Sequence, residues 1–230
     1  MKKLRVLVAC EESQAVTKAF RNLGHEAFSC DLLPCSGGHP EWHYQQDVFE
    51  VIDMGWDLMI AHPPCTYLTV TGNKWFYHPD DKDLDVSLRR PHPKFPNRRE
   101  QREEALEFFI KLMECPIERI CIENPVGIIS SRYRKPNQII QPWMFGDEAS
   151  KTTCLWLKNL DLLKPTDIVG KGERTYYKSG KSHATWYADA LKNAKNSAER
   201  STLRSKTFEG IANAMAEQWS NYILNKQQEL

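Results

Sequence analysis

The feature that most constrains this 230-residue chain is a short apolar run that ends at two consecutive prolines. Residues 58–61 are continuously apolar, and His62, Pro63 and Pro64 separate them from Cys65. Proline has no N–H for a sheet ladder and a fixed φ, so a central strand must stop there. The pattern therefore predicts a buried strand with Cys65 just beyond its carboxyl end, the edge at which open α/β sheets bind ligands.

A second predicted strand ends in a similar way. Residues 119–122 are mostly apolar and lead into Glu123, Asn124 and Pro125. Taken singly, a cysteine is usually a small buried hydrophobe, and Glu-Asn-Pro is usually a turn. Together, a thiol and a carboxylate at the tips of two neighbouring strands predict a nucleophile and a partner that handles protons.

The rest of the chain supplies the other layers of an α/β domain. Residues 4–9 and 27–30 predict two more strands, and Ser13 is a candidate N-cap for a helix between them that ends at Gly24. Further on, we expect a helix over 99–114, a strand over 154–157 and a last helix over 208–223 capped by Thr207. The expected buried helix positions are Val16, Ala19, Phe20, Leu23, Ala105, Phe108, Phe109, Leu112 and Met113. This order predicts a Rossmann-like α/β fold, a mostly parallel twisted sheet with helices on both faces.

The turn after the first strand bears on the cofactor. Residues 9–14 contain no glycine and two acids, Glu11 and Glu12, which would repel a pyrophosphate at the following helix. Asp31, which closes the second strand, occupies the place where nucleotide-binding folds hold ribose hydroxyls. An acidic turn with a ribose acid favours S-adenosylmethionine, which has a cationic sulfonium and no phosphate, over NAD or ATP. Asp47, followed by Val48, is either a strand end that meets an adenine amine or an ordinary helix cap.

Composition indicates an intracellular protein. The net charge is +1, the seven cysteines form no Cys-x-x-Cys pair, and no apolar run is long enough to span a membrane. The first residues do not resemble a signal peptide. We therefore expect a cytoplasmic protein, and a monomer, with no membrane partner.

Three polar segments each allow two interpretations. Residues 66–97 form an insertion that is either a lid over the site or a solvated loop. Residues 171–206 carry nine lysines and arginines against three acids, together with four aromatic residues, which suits either a nucleic-acid surface or a solvated one. Cys30, Cys35, His39 and His43 could be taken as a metal quartet, but their spacing is not a standard zinc pattern and we expect no metal.

Pro63-Pro64-Cys65 and Glu123-Asn124-Pro125 resemble the Pro-Cys and Glu-Asn-Val motifs of DNA cytosine-5 methyltransferases, most closely the short, phage-type members. Over most of the chain, the other elements follow an order similar to that of the family's motifs: the cofactor turn, Asp31, Asp47, Cys65, Glu123 and Lys151. The resemblance implies an S-adenosylmethionine-dependent methyltransferase fold and methyl transfer to carbon 5 of cytosine in DNA. Such a protein of phage origin would act in the bacterial host cytoplasm.

The resemblance also implies a role for each site residue. Cys65 would attack carbon 6 of the ring, and Glu123 would bind the exocyclic amine and N3. Asn124 would shape the cysteine turn, Lys151 would contact the pyrimidine oxygen, and the basic insertion would lower the pKa of Cys65. The expected S-adenosylmethionine-binding residues are Ala9, Cys10, Glu11, Glu12, Ser13, Gln14, Asp31, Leu32, Asp47, Val48, His62 and Pro63. The expected substrate-binding residues are Pro64, Thr66, Arg89, Arg90, Lys178 and Lys181.

Departures from the family pattern shape the remaining expectations. The glycine-rich cofactor turn of the family is replaced by residues 9–14, and only Lys151 remains of its Gln-x-Arg-x-Arg strand. We expect a catalytic domain over 1–165 with the insertion at about 66–97, a small basic substrate-contacting segment over 166–206, and a C-terminal helix over 207–230. That segment is too short for a large target-recognition domain. The acceptor could therefore also be RNA or a free cytosine nucleotide, and a non-catalytic nucleic-acid binder is the alternative of another class.

Overall fold

The computed structural model describes residues 2–227, except for the side chains of residues 191, 197, 198 and 201. The outer ends of the expected first and last domains, residue 1 and residues 228–230, lie outside the described part. Nine strands are described: β1 (Arg5–Ala9), β2 (Glu26–Cys30), β3 (His43–Tyr44), β4 (Leu58–Ala61), β5 (Ile120–Pro125), β6 (Gln138–Ile140), β7 (Thr153–Lys158), β8 (Arg174–Tyr176) and β9 (Ser182–Ala184). The described α-helices are α1 (Ala15–Asn22), α2 (Arg98–Glu114), α3 (Ile129–Arg132), α4 (Thr185–Asn193), α5 (Ser197–Ser205) and α6 (Glu209–Lys226).

Seven strands form one sheet in the order β3-β2-β1-β4-β5-β7-β6. The strands from β3 to β5 are parallel, and β7 runs antiparallel to both β5 and β6. The order reverses between β1 and β4, so the carboxyl ends of these two strands flank the crevice in which such sheets bind ligands. The predicted α/β class, with a mostly parallel sheet and helices on both faces, is confirmed.

The two faces of the sheet are covered by different helices because side chains alternate along each strand. Val6, Val8 and their neighbours face α1 and α6 in one buried cluster, which includes Phe20 and Trp219. Leu7 and the alternate positions face α2 in a second cluster. The central strands are therefore buried on both sides, as their continuous apolar sequences predict.

Several helix ends differ from the predicted ones. The N-cap of α1 is Gln14 rather than Ser13, and its side chain makes no cap hydrogen bond. Leu23 lies beyond the helix and is exposed. The N-cap of α6 is Phe208 rather than Thr207. There Asp147 accepts a hydrogen bond from the Gly210 N–H at 2.9 Å, in place of a cap from the flanking residue.

Residues 166–206 lie outside the main sheet. Strands β8 and β9 form an antiparallel hairpin, and α4 follows β9 directly and packs with α5. The insertion between β4 and α2 contains short 3-10 turns rather than regular helices. Within residues 2–227, no helix is both long and apolar enough to cross a lipid bilayer.

Candidate active site

The site begins where β4 and β5 end side by side. Ala61 is paired with Ile122, so the next residues, His62 and Glu123, are neighbours across the two strands. The Nδ1 atom of His62 lies 3.2 Å from Oε2 of Glu123, and the two side chains are only 10% and 12% exposed. Strand β5 continues past the predicted end because β7 pairs with it as far as Pro125.

Asn124 fixes the turn that presents Cys65. Its Nδ2 donates to the carbonyl oxygen of Pro63 at 2.8 Å, and the side chain is buried. Beyond the prolines, the Cys65 carbonyl oxygen accepts hydrogen bonds from the N–H groups of Leu68 and Thr69, both at 3.0 Å. Cys65 is therefore held in a turn that is tied to the tip of β5, and its side chain is only partly buried.

Lys151 reaches the same region from the start of β7. Thr153 is paired with Pro125, which places the preceding lysine near the end of β5. Its Nζ donates to the carbonyl oxygen of Lys206 at 3.3 Å. A small pocket in front of it is lined by Glu123, Lys151, Thr153, Thr207, Phe208 and Ile211.

Electrostatics link these groups. Burial opposes ionisation of Glu123, but the hydrogen bond from His62 and the positive charge of Lys151 together lower its pKa below the usual value. Burial and the negative charge of Glu123 raise the pKa of the Cys65 thiol, and Lys151 opposes that rise. The expectation that the basic insertion lowers the pKa of Cys65 is therefore wrong, because the cation that acts on the thiol is Lys151.

A cavity of about 360 Å³ lies next to Pro64, at the carboxyl ends of β1, β2 and β4. Of the expected cofactor residues, it is lined by Cys10, Asp31, Leu32, Asp47 and Val48. Asp47 is also the cap of a 3-10 turn, because its carboxylate accepts the Phe49 N–H at 2.9 Å. The other lining residues are Cys30, Gln46, Pro64, Tyr67, Gln101, Glu104, Ala105 and Phe108.

The remaining residues of the first turn point elsewhere. The buried Glu11 carboxylate accepts hydrogen bonds from the N–H groups of Val16 and Thr17, at 2.7 and 3.2 Å, and from the Thr17 hydroxyl. Gln14 is fully buried and donates to the His39 carbonyl oxygen at 2.8 Å. Glu12 accepts a hydrogen bond from the Ser36 hydroxyl. Ala9, Ser13 and Pro63 do not line the cavity either, and the side chain of His62 contacts Glu123.

The first turn and the cavity together indicate which ligand fits. A helix N-terminus binds phosphate through bare N–H groups, but here the Glu11 carboxylate already accepts them. The cavity offers mostly apolar walls, including Phe108 and Val48, and three acidic side chains, Asp31, Asp47 and Glu104. These features suit a nucleoside that carries a positive charge and no phosphate, as S-adenosylmethionine does.

The sequence did not predict that one face of α2 lines the cavity. Ala105 and Phe108 were expected in the core but are half-buried and line the cavity with Gln101 and Glu104. Their spacing of three or four residues indicates a shared helix face. The sequence pattern alone does not say whether such a face packs on the sheet or borders a ligand.

The expected substrate residues are divided between the insertion and the hairpin. Arg90 makes a two-pronged ion pair with the buried Asp81, at 2.6 and 2.9 Å, and Arg89 donates to the carbonyl oxygens of Leu84 and Lys82. Both guanidinium groups thus stabilise the insertion, and phosphate contact by their other N–H donors stays a prediction. Lys178 and Lys181 are exposed at the tip of the β8–β9 hairpin, and Thr66 is exposed beside Cys65.

The residues considered as a metal quartet have other partners. Cys35 donates to Gln14, His39 stacks on Trp42, and His43 Nδ1 lies 2.8 Å from the Ser29 hydroxyl. In the described part of the chain, no group of three or more His, Cys, Asp or Glu side chains is placed to hold a metal ion.

Comparison with solved structures returns distant similarities. A Dnmt2 methyltransferase from S. pombe is 16% identical and covers 86% of this chain, with a TM-score of 0.43. The methyltransferase EhMeth from Entamoeba histolytica is 13% identical over the same share, also with a TM-score of 0.43. The chain spans 62% of the length of each. No family model and no curated protein matches the sequence.

Proposed function

We propose that the protein is a methyltransferase that uses S-adenosylmethionine to methylate carbon 5 of cytosine in DNA through a covalent Cys65 adduct. The observation that carries the proposal is the meeting of three features at one sheet edge. Asn124 ties the turn that holds Cys65 to the tip of β5, Glu123 and Lys151 lie at the same end of β5 and β7, and the residue before Cys65, Pro64, lines a cavity that suits the methyl donor.

Cys65, Glu123 and Lys151 each have a proposed role in the reaction. Carbon 5 of cytosine is a poor nucleophile, and addition of a thiolate at carbon 6 turns the ring into an enamine that can attack a methyl group. Cys65 supplies that thiolate. Oε2 of Glu123 accepts a hydrogen bond from His62, so Oε1 can accept one from the exocyclic amine of the ring. Lys151 would stabilise negative charge on the ring or its carbonyl oxygen.

The donor contributes the electrophilic methyl group when bound. Asp31 and Asp47 would hold its hydroxyl and amine groups, and Phe108 and Val48 would pack on its apolar surfaces. After the transfer, the proton on carbon 5 leaves to water, the double bond between carbons 5 and 6 re-forms, and Cys65 departs as the thiolate. A base within duplex DNA must be flipped out of the stack to reach Cys65.

The direct test is transfer of a labelled methyl group from S-adenosylmethionine to duplex DNA, single-stranded DNA, RNA and dCMP. We expect label at carbon 5 of cytosine in DNA, no label with Cys65→Ala, and wild-type labelling with Cys35→Ser. Cys35 is a suitable control because it is half-buried, like Cys65, and does not line the cavity.

Other outcomes would redirect the proposal. Label confined to RNA or to dCMP would keep the chemistry and replace DNA as the acceptor. Binding of DNA without transfer to any acceptor, and without an effect of Cys65→Ala, would make the protein a non-catalytic nucleic-acid binder.

A further inference from the structure

His62 contacts Glu123, the carboxylate that would bind the substrate ring, and the reaction steps above give His62 no role of its own. Its Nδ1 contacts Glu123, whereas its Nε2 is buried and has no hydrogen-bond partner within the described part of the chain. The ring is therefore turned away from the donor cavity, where the sequence placed it, and toward the carboxylate that would bind the substrate ring.

The contact with Glu123 indicates which nitrogen of the imidazole carries a hydrogen toward the carboxylate. An ionised carboxylate accepts hydrogen bonds and donates none, so the Nδ1 atom that lies 3.2 Å from Oε2 of Glu123 carries the hydrogen. His62 is therefore a hydrogen-bond donor to Glu123.

Several titratable groups surround Glu123. His62 at the tip of β4 and Lys151 ahead of β7 favour the negative carboxylate. Cys65, Cys121 on β5 and Cys154 on β7 also lie within electrostatic reach, and burial together with Glu123 raises their pKa values. The carboxylate is therefore held in its hydrogen-bond-accepting form.

We propose that His62 is a positioning residue that keeps Glu123 a hydrogen-bond acceptor, and that the pair thereby selects a pyrimidine with an exocyclic amine over one with a carbonyl at that position. The inference rests on the proposed function. Cytosine offers an N–H donor to Oε1 of Glu123, whereas uracil offers an oxygen that the carboxylate repels. A site built to accept a hydrogen bond rejects an analogue that lacks the donor, because the buried acceptor is then left unpaired.

The test compares trapping of matched oligonucleotides that carry either 5-fluorocytosine or 5-fluorouracil, in the presence of S-adenosylmethionine. The variants are His62→Phe, which keeps a ring without nitrogens, and His62→Asn, whose amide nitrogen is as many bonds from Cα as Nδ1. We expect the cytosine-to-uracil ratio of trapping rates to fall about tenfold or more in His62→Phe and to stay within about threefold of wild type in His62→Asn. Circular dichroism checks that both variants fold.

The pH dependence separates this role from a merely structural one. Loss of the His62 donor removes a contribution that lowers the pKa of Glu123, so the carboxyl group of His62→Phe becomes protonated at a higher pH. When the pH is lowered, the His62→Phe variant should therefore lose its preference for cytosine over uracil at a higher pH than the wild-type protein does. Equal pH profiles, or equal ratios in wild type and folded His62→Phe, would overturn the inference.

A spectroscopic measurement keeps this inference distinguishable from the proposed function. If wild-type protein traps neither base, the proposed function fails. The ¹⁵N spectrum of the imidazole still tests the pairing, with hydrogen on Nδ1 expected. A bare Nδ1 would contradict the pairing even if trapping succeeds.

Discussion

Replacing Glu11 with alanine should destabilise the protein much more than replacing its neighbour Glu12. The buried Glu11 carboxylate accepts two backbone N–H groups of the first turn of α1 and one hydroxyl group. Loss of a helix cap costs about 1–2 kcal/mol, and each buried donor left without a partner adds about 1–3 kcal/mol before water enters. Some relaxation is expected, so we predict a loss of about 3 kcal/mol in the free energy of unfolding.

The loss is measurable by urea unfolding, followed by circular dichroism. For a chain of this size, about 3 kcal/mol corresponds to a fall in melting temperature of roughly 6–12 °C. Glu12→Ala is the matched control and should cost less than about 1 kcal/mol, because among the described residues its carboxylate accepts a hydrogen bond only from the exposed Ser36 hydroxyl. A Glu11→Ala protein within about 0.5 kcal/mol of wild type would refute the claim that the Glu11 carboxylate stabilises the first turn of α1.

The same substitution tests why the first turn suits a ligand without phosphate. Removal of the carboxylate leaves the N–H groups of α1 free to bind an anion. Sulfate should therefore raise the melting temperature of Glu11→Ala more than that of wild type. Equal effects of sulfate on the two proteins would show that the carboxylate does not occupy an anion site.

Four further outcomes are expected. Lys151→Ala should raise the pKa of Cys65 and slow its alkylation by iodoacetamide at a fixed pH, whereas Glu123→Gln should lower that pKa and speed alkylation; rates that do not move in opposite directions would contradict the electrostatic coupling. Asp31→Asn should weaken binding of S-adenosylmethionine about tenfold by calorimetry, and the exposed control Asp53→Asn should leave it unchanged. Asn124→Ala should lower the free energy of unfolding by about 1–2 kcal/mol, measured in urea, and reduce methyl transfer by displacing the Cys65 turn; an unchanged transfer rate would separate Asn124 from that turn. Arg90→Ala should make residues 66–97 sensitive to limited proteolysis, because the buried Asp81 loses its ion pair. Arg132→Ala, which removes an exposed ion pair with Glu103 on α2, should not.

The strand tips were predictable because their signals are local. Two prolines end β4 wherever it packs, and continuous apolar runs predict strands that are covered on both faces. The relative placement of Cys65 and Glu123 then follows from the pairing of β4 with β5. The fold and the position of the candidate nucleophile were thus accessible from sequence alone.

The partners of charged groups were not predictable, because they depend on tertiary packing. Glu11 was expected to face a cofactor, yet the structure buries it under the first turn of α1. Arg90 was expected on a substrate, yet it pairs with Asp81 through a loop whose course no periodicity specifies. The pairing of His62 with Glu123 depends on strand register across 61 positions of sequence.

The most direct test of the central claim is mass-spectrometric mapping of a covalent adduct between the protein and an oligonucleotide containing 5-fluorocytosine, formed with S-adenosylmethionine present. Fluorine at carbon 5 prevents the elimination that would release the sulfur, so the intermediate accumulates. The account predicts an oligonucleotide linked to the peptide that contains Cys65, and none in Cys65→Ala. An adduct on another cysteine, or no adduct although the protein methylates cytosine, would contradict it.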